Sequence, residues 1–476
     1  MISRAGPLWT APDVAAAVRG SLSGDPAGPI TGISIDTRTL APGDLFVALA
    51  GPHRDGHEFV AEALARGAGA ALVTHPPGGV GPDAPMVIVD DTQLGLERLG
   101  AGARARTGAR VAAITGSVGK TGTKEMLALA LSEQGATHRS ESSYNNLWGV
   151  PLSLARMPRE TEFGVFEIGM NHPGEITPLT RLARPDVAVV TAIEHVHLEF
   201  FSGLEAIADA KAEIFLGLSP LGSVVLNRDN AMYERLAAGA AARGIGRIRS
   251  FGVHDAAHVR LLSTFMGPES STVRARIDGR EVNYRLNQPG RHLVMNSLAV
   301  LATASVLGAD PFRAAQALIG FEGLSGRGRR VEIRVRGGTA SLLDESYNAS
   351  PAAVRAALAV LGFARGRRIV VLGDMRELGA AGPELHRGLA DAIEAAGVAG
   401  AFTCGELAGT LFEALPPEIR GAHAPTAAAL LPHLAAALQP GDTVMVKGSL
   451  GSRMADIVKP LIAGIAAGDP GSESEC

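Results

Sequence analysis

Four runs in the middle of the chain, residues 111–114, 164–168, 187–193 and 223–226, are apolar almost without a break, and helical stretches begin near Lys120, Leu204 and Arg291. A strand with one face in water alternates polar and apolar side chains. Uninterrupted apolar strands at this spacing therefore call for a parallel sheet covered by helices on both faces. Similar alternations flank this region. Runs at 30–35, 45–49, 70–73 and 86–89 read as a small α/β unit, and an Arg/Gly/Ala-rich helix and turn lies between 97 and 110. Past a Gly/Arg-rich segment at 323–330, which interrupts the periodicity as a linker would, runs at 340–343, 367–372, 399–403 and 443–447 read as a third, Rossmann-like layer. The expected fold is α/β in three domains, 1–106, 107–324 and 325–467, followed by a polar, disordered tail at 468–476.

Composition narrows the function. A net charge of −4 gives no footing for a nucleic-acid or membrane-surface protein built on bulk charge. Two cysteines, Cys404 and Cys476, are too few for a disulfide framework or a zinc site. No run reaches the ~18 apolar residues of a membrane span, and the first ten residues lack the apolar core of a signal peptide. A soluble, cytoplasmic, monomeric protein is expected. Among the basic residues only five are lysine, Lys120, Lys124, Lys211, Lys447 and Lys459, against 39 arginines, so the places where lysine survives carry information.

The strongest local signal is Ile114-Thr-Gly-Ser-Val-Gly-Lys-Thr121. An apolar strand runs into a glycine loop and then a helix, and backbone N–H groups at such a helix start surround phosphate oxygens. Gly116, Ser117, Val118, Gly119 and Gly122 would form the cradle, Lys120 would add a point charge, and the Thr121 hydroxyl would face a magnesium ion. The loop is a short form, TGxxGKT, with isoleucine where the longer phosphate-loop spacing has glycine. Glu167 closes the next apolar strand, and a carboxylate there is costly unless paired or metal-bound. The following strand ends in Glu194-His195-Val196-His197-Leu198-Glu199, and Lys211 lies on an amphipathic helix shortly after. His292 and Asn296, four residues apart, share one helix face. In the third unit, loops after strands carry Asp344-Glu345-Ser346-Tyr347-Asn348, Gly373-Asp374-Met-Arg-Glu377-Leu-Gly379 and Lys447-Gly448-Ser449.

Together these segments resemble the Mur ligase family, ATP-dependent amide-bond-forming enzymes of peptidoglycan synthesis that share their fold with folylpolyglutamate synthases. The likeness covers nearly the whole chain. The stretches at 344–349, 373–379 and 447–449 are similar to those of the branch that adds D-alanyl-D-alanine to UDP-N-acetylmuramoyl-tripeptide. The resemblance implies that Ser34, Asp36, Thr37 and Arg38, with the Asp55-Gly-His57 stretch, belong to a domain gripping the UDP-sugar. It implies that Asn145 and Asn146 approach substrate, as do Tyr347, Asn348 and Lys447. Thr121 and Glu167 would hold one Mg²⁺, and His197 would serve a second together with Lys211, carbamylated by CO₂. His292 and Asn296 would lie by the adenine, Arg327 or Arg330 would reach the γ-phosphate, and Asp344 or Glu345 would position the nucleotide. Other readings remain: a family member adding diaminopimelate or lysine, a folylpolyglutamate synthase, or a nucleotide-hydrolysing switch.

Overall fold

The structure is a computed structural model that describes residues 7–26, 28–51, 54–141, 144–196 and 199–465. Three sheets follow one another along the chain. The first holds β1 (Ser21–Ser23), β2 (Gly32–Ser34), β3 (Asp44–Val47), β4 (Ala70–Val73) and β5 (Met86–Ile88) in the order β1-β5-β4-β3-β2. It is parallel except for β1, which pairs antiparallel with β5.

The second sheet comprises β6 (Arg110–Thr115), β7 (Thr137–Arg139), β8 (Phe163–Glu167), β9 (Val187–Val190), β10 (Ser223–Asn227), β11 (Arg247–Gly252), β12 (Val259–Met266), β13 (Ser271–Ile277) and β14 (Arg280–Leu286). Its order is β14-β13-β12-β11-β10-β9-β6-β8-β7. Every residue of β8 and β9 is buried, as a sheet covered on both faces demands. The sheet is not wholly parallel, however: β12, β13 and β14 form an antiparallel meander at one edge. Along β13 buried and exposed residues alternate through Ser-Thr-Val-Arg-Ala-Arg-Ile, the period-2 pattern of a strand with one wet face. The helix Arg291–Val306 packs its apolar side under this extension, where Val294 and Leu298 join Val273, Ala275 and Leu286 in one core.

The third sheet comprises β15 (Arg329–Val335), β16 (Gly338–Glu345), β17 (Arg368–Gly373), β18 (Gly400–Cys404), β19 (Arg420–Ala424) and β20 (Thr443–Lys447), ordered β15-β16-β20-β17-β18-β19. Only β15 runs antiparallel to its neighbour. The segment expected as a linker is structured. Arg329 and Arg330 already belong to β15, and a tight turn precedes them in which Gly326 and Gly328 take φ of 73° and 90°. Gly326 N–H donates to Asp344 Oδ2 at 2.7 Å and Gly328 N–H to the Asp344 carbonyl at 2.9 Å.

The first sheet is locked onto the second. Helix Thr92–Ala105 lies on helix Gly149–Ala155 so closely that a Cβ on Gly100 would come 2.9 Å from the Pro151 carbonyl oxygen. Trp9 Nε1 donates to the Ala155 carbonyl, and Arg156 Nε to that of Ile33. Among the described residues no helix is long and apolar enough to cross a membrane.

Candidate functional site

In the central sheet β6 lies between β9 and β8, so the loops leaving the C-terminal ends of these three strands meet at one edge. That edge is where an open α/β sheet binds ligands. The loop after β6 is built against its neighbours with no room to spare. Gly116, at φ 147°, would put a Cβ 2.0 Å from Thr191 Oγ1, and a Cβ on Gly119, at φ 86°, would meet Asn296 Oδ1 at 2.7 Å. Thr191 Oγ1 donates to the Val118 carbonyl at 2.6 Å, Ser117 N–H donates to the Ala192 carbonyl, and Glu194 N–H donates to Ser117 Oγ. The sequence reading missed Thr191; its only signal was a hydroxyl ending an apolar strand.

Lys120 opens the helix Lys120–Ser132, and its Nζ donates to the Gly116 carbonyl at 2.6 Å. Burial pushes its pKa down; Glu167 opposes the shift and Arg327 adds to it. One residue on, Thr121 Oγ1 donates to Glu167 Oε2 at 2.7 Å, while Asn145 Nδ2 donates to Glu167 Oε1 at 2.8 Å. Glu167 is 1% exposed and makes no ion pair among the described residues, so a buried carboxylate is held by neutral donors alone. That donor set fits Mg²⁺, which takes one or two carboxylates and completes its octahedron with water and substrate phosphates. Among the described residues no group of three or more His, Cys, Asp or Glu could hold a metal ion.

Lys211 lies in the last turn of the helix Leu204–Ala212, is 1% exposed and has no hydrogen bond or ion pair among the described residues. Burial first, and then the Lys120 ammonium, hold its pKa well below the ordinary lysine value. A neutral amine is the form that adds CO₂, so the residue fits a carbamate. His197 lies outside the described residues, as does the tail 468–476.

His292 and Asn296 share a helix face as expected but do different things. Asn296 leans on the phosphate-loop glycines Gly119 and Gly122. His292 lines a small cleft together with Gln288, Arg327, Arg330 and Glu345. Burial lowers its pKa, with Glu345 opposing and Lys447 reinforcing the shift. The two candidate arginines separate. Arg327 stacks over Tyr347, 4.1 Å from the ring centroid, and its charge is felt at Lys120. Arg330 has Glu269 as its charged neighbour, and its Nη2 is buried without a partner among the described residues.

Several expected ligand contacts are instead internal. Asp344 is 3% exposed and spends one oxygen on Gly326 N–H and the other on Ser346 N–H and Oγ–H, so it fastens the 326–328 turn. Lys447 donates to Glu345 Oε2 at 3.0 Å across β16 and β20, which commits both to each other. Asn146 Oδ1 accepts from Trp148 and Gly149 N–H at the start of a helix, a capping role rather than a substrate contact. His57 bridges Asp55 and Thr74 while stacked on His75. Near the end of β2, Ser34 Oγ accepts from Asp36 N–H, Asp36 holds Arg38 through two nitrogens, and Thr37 is buried. Arg38 itself is 82% exposed, and Asn348 is exposed as well.

A phosphate loop at the switch point of a parallel sheet, a metal-ready carboxylate and two further α/β layers define a multidomain enzyme that handles a nucleoside triphosphate. Residues 29–98 match the Mur ligase family catalytic domain, 114–304 the Mur ligase middle domain and 329–450 the Mur ligase glutamate ligase domain. The chain belongs to the Mur ligase family. It is similar to the UDP-N-acetylmuramoyl-tripeptide--D-alanyl-D-alanine ligase of Escherichia coli K12, with 35% identity over 90% of this chain and 93% of that one. The enzyme of the same name from Bacillus subtilis 168 is 32% identical over 91% and 93%. A crystal structure of MurF from Acinetobacter baumannii superposes with a TM-score of 0.82 at 30% identity, covering 96% of this chain and 99% of that one.

Proposed function

We propose that the chain is an ATP-dependent ligase joining D-alanyl-D-alanine to UDP-N-acetylmuramoyl-tripeptide. The product is the pentapeptide precursor of peptidoglycan, on which cell shape and division depend. The observation that carries this reading is the 32–35% identity, spread over nine-tenths of both chains, to enzymes bearing that name. Residues 1–106 take the UDP-sugar end, 107–324 the ATP, and 325–467 close over both with the incoming dipeptide.

The chemistry brings two anions together, the tripeptide carboxylate and the γ-phosphate, so the protein's main task is positioning and charge neutralisation. Backbone N–H groups from Val118 to Lys120 cradle the phosphates. Lys120 exchanges the Gly116 carbonyl for a phosphate oxygen, and Arg327 adds positive charge from the turn before β15. Thr121 and Glu167 would hold one Mg²⁺, with Asn145 fixing the carboxylate, and a carbamylated Lys211 with His197 would hold another. At this site Mg²⁺ would supply positive charge against the phosphates. The carboxylate oxygen attacks the γ-phosphorus and ADP leaves; the dipeptide amine then attacks the acyl phosphate carbon, and phosphate departs as the amide forms. The test is phosphate release from ATP. It is expected only with both substrates present, with a mass spectrum identifying the pentapeptide; release with neither present overturns the reading.

A further inference from the structure

Lys124 has no part in the phosphate chemistry above, yet it is the most completely buried charged residue beside it. It lies one helical turn beyond Lys120 and is 0% exposed. Burying an ammonium costs several kcal/mol unless it is paired, and methionine or leucine would fill the same space without that cost. Its contacts therefore merit inspection. Nζ donates to the Ser140 carbonyl at 2.8 Å and pairs with Glu125 at 2.9 Å, and Glu125 in turn holds Arg139 Nε, at the end of β7, at 2.6 Å. The second turn of the phosphate-loop helix is thus fastened to the segment leaving β7.

That segment ends on Glu167. Ser140, itself 0% exposed, continues β7 by donating its N–H to the Val165 carbonyl, and its Oγ accepts from the Glu167 N–H at 3.2 Å. Five residues later Asn145 holds Glu167 Oε1, and its carbonyl accepts from Gly169 N–H. Glu167 is therefore gripped at its backbone by Ser140, at one carboxylate oxygen by Asn145 and at the other by Thr121. The first of these grips comes from the residue whose carbonyl Lys124 holds.

We propose that Lys124 is a positioning residue: its buried ammonium holds Ser140 in place relative to the phosphate loop, and so aims Glu167, whose N–H donates to Ser140 Oγ. The inference rests on the role given to Glu167 above, but its first readout needs no substrate. In Lys124→Met, amide hydrogen exchange of the full-length protein should accelerate tenfold or more at Ser140, Glu167 and Gly169, with β10 and β11 unchanged. In the ligase assay kcat should fall about 10- to 100-fold, as when an outer-shell partner of a metal ligand is lost. The KM for D-alanyl-D-alanine should move less than twofold. Exchange that rises equally throughout the central sheet means that Lys124 only fills the core, and unchanged exchange at the three amides means that it anchors nothing; either overturns the proposal. Should Lys124→Met not fold, Lys124→Gln, whose chain is too short to reach Ser140, should loosen the same amides, and a wild-type exchange pattern with wild-type kcat there refutes it. Local loosening in a protein that adds a different amine would sink the substrate assignment and leave this inference standing.

Discussion

Lys211→Met should make the protein more stable while destroying its activity, and the gain should depend on pH. In the native state Lys211 is buried beside Lys120 with no partner among the described residues, so its pKa lies well below the ordinary 10.5. The unfolded chain keeps the ordinary value and binds a proton that the native state releases. Stability is therefore lost as pH falls from the ordinary value toward the native one, with a slope of up to about 1.4 kcal/mol per pH unit. Methionine fills a similar volume and removes the penalty. Replacing a buried ion pair by well-packed apolar groups is worth about 1–4 kcal/mol, and a gain of that order is expected here. For a cooperative unit of the central domain's size that is roughly 2–4 °C of Tm per kcal/mol. The assay is thermal and urea unfolding of both proteins in CO₂-free buffer between pH 6.5 and 9.5, with the gap expected to shrink as pH rises. Bicarbonate should raise the Tm of the wild type alone, because a ligand that binds only the native state stabilises by mass action. In Lys211→Ala, a short-chain acid should restore part of the lost activity by standing in for the carbamate. A Lys211→Met protein that is less stable at every pH, by a constant amount, would mean that the amine is compensated, and the carbamate argument would fail with it.

Other consequences are simpler to state. Gly116→Ala should weaken ATP binding by more than tenfold in calorimetry, since a Cβ 2.0 Å from Thr191 Oγ1 adds a clash to backbone strain of about 1–3 kcal/mol. Asn146→Ala should lower stability by about 1 kcal/mol, the value of a lost helix cap, and leave kcat within threefold; Asn145→Ala should instead cut kcat at least tenfold. Lys447→Met should cost about 3 kcal/mol by stranding Glu345, and Glu345→Gln in the same chain should recover most of it in urea titrations. His138 is held neutral by burial, with its pKa lowered to about 4. The unfolded chain takes up that proton first, so stability should be level above pH 6.5 and drop by about 2 kcal/mol toward pH 4.5, a loss that His138→Gln removes.

What the sequence made legible was whatever depends on residue type at a strand end. Strands buried on both faces announce themselves as apolar runs, and a glycine or a polar side chain at the close of such a run has few structural reasons to be there. The phosphate loop, Glu167 and the Lys120–Thr121 pair all stand at such strand ends. The antiparallel meander β12–β14 was overlooked although its alternation is plain in Thr-Val-Arg-Ala-Arg-Ile, because a search for buried parallel strands discards half-polar ones. The 323–330 segment looked like a linker because glycine and arginine break helical periodicity. Its order comes from Asp344, eighteen residues away from Gly326, and no local pattern reports a bond of that range.

Asp344, Asn146, Glu345 and Lys447 share one property: each makes at least one hydrogen bond within the protein, which takes up part of the limited set of lone pairs and protons a side chain offers. Residue type shows what a group can do; only geometry shows whether it is already doing something else. Four of the five lysines sort by this test. Lys120 donates to the Gly116 carbonyl inside the phosphate loop, Lys211 has no internal partner among the described residues, and Lys447 is paired with Glu345. Lys124 is committed as well, but to the strand that aims Glu167. A buried lysine near a phosphate site is therefore read from its partners: an amine without one awaits chemistry, and an amine whose partner touches a ligand-binding group governs that group's position.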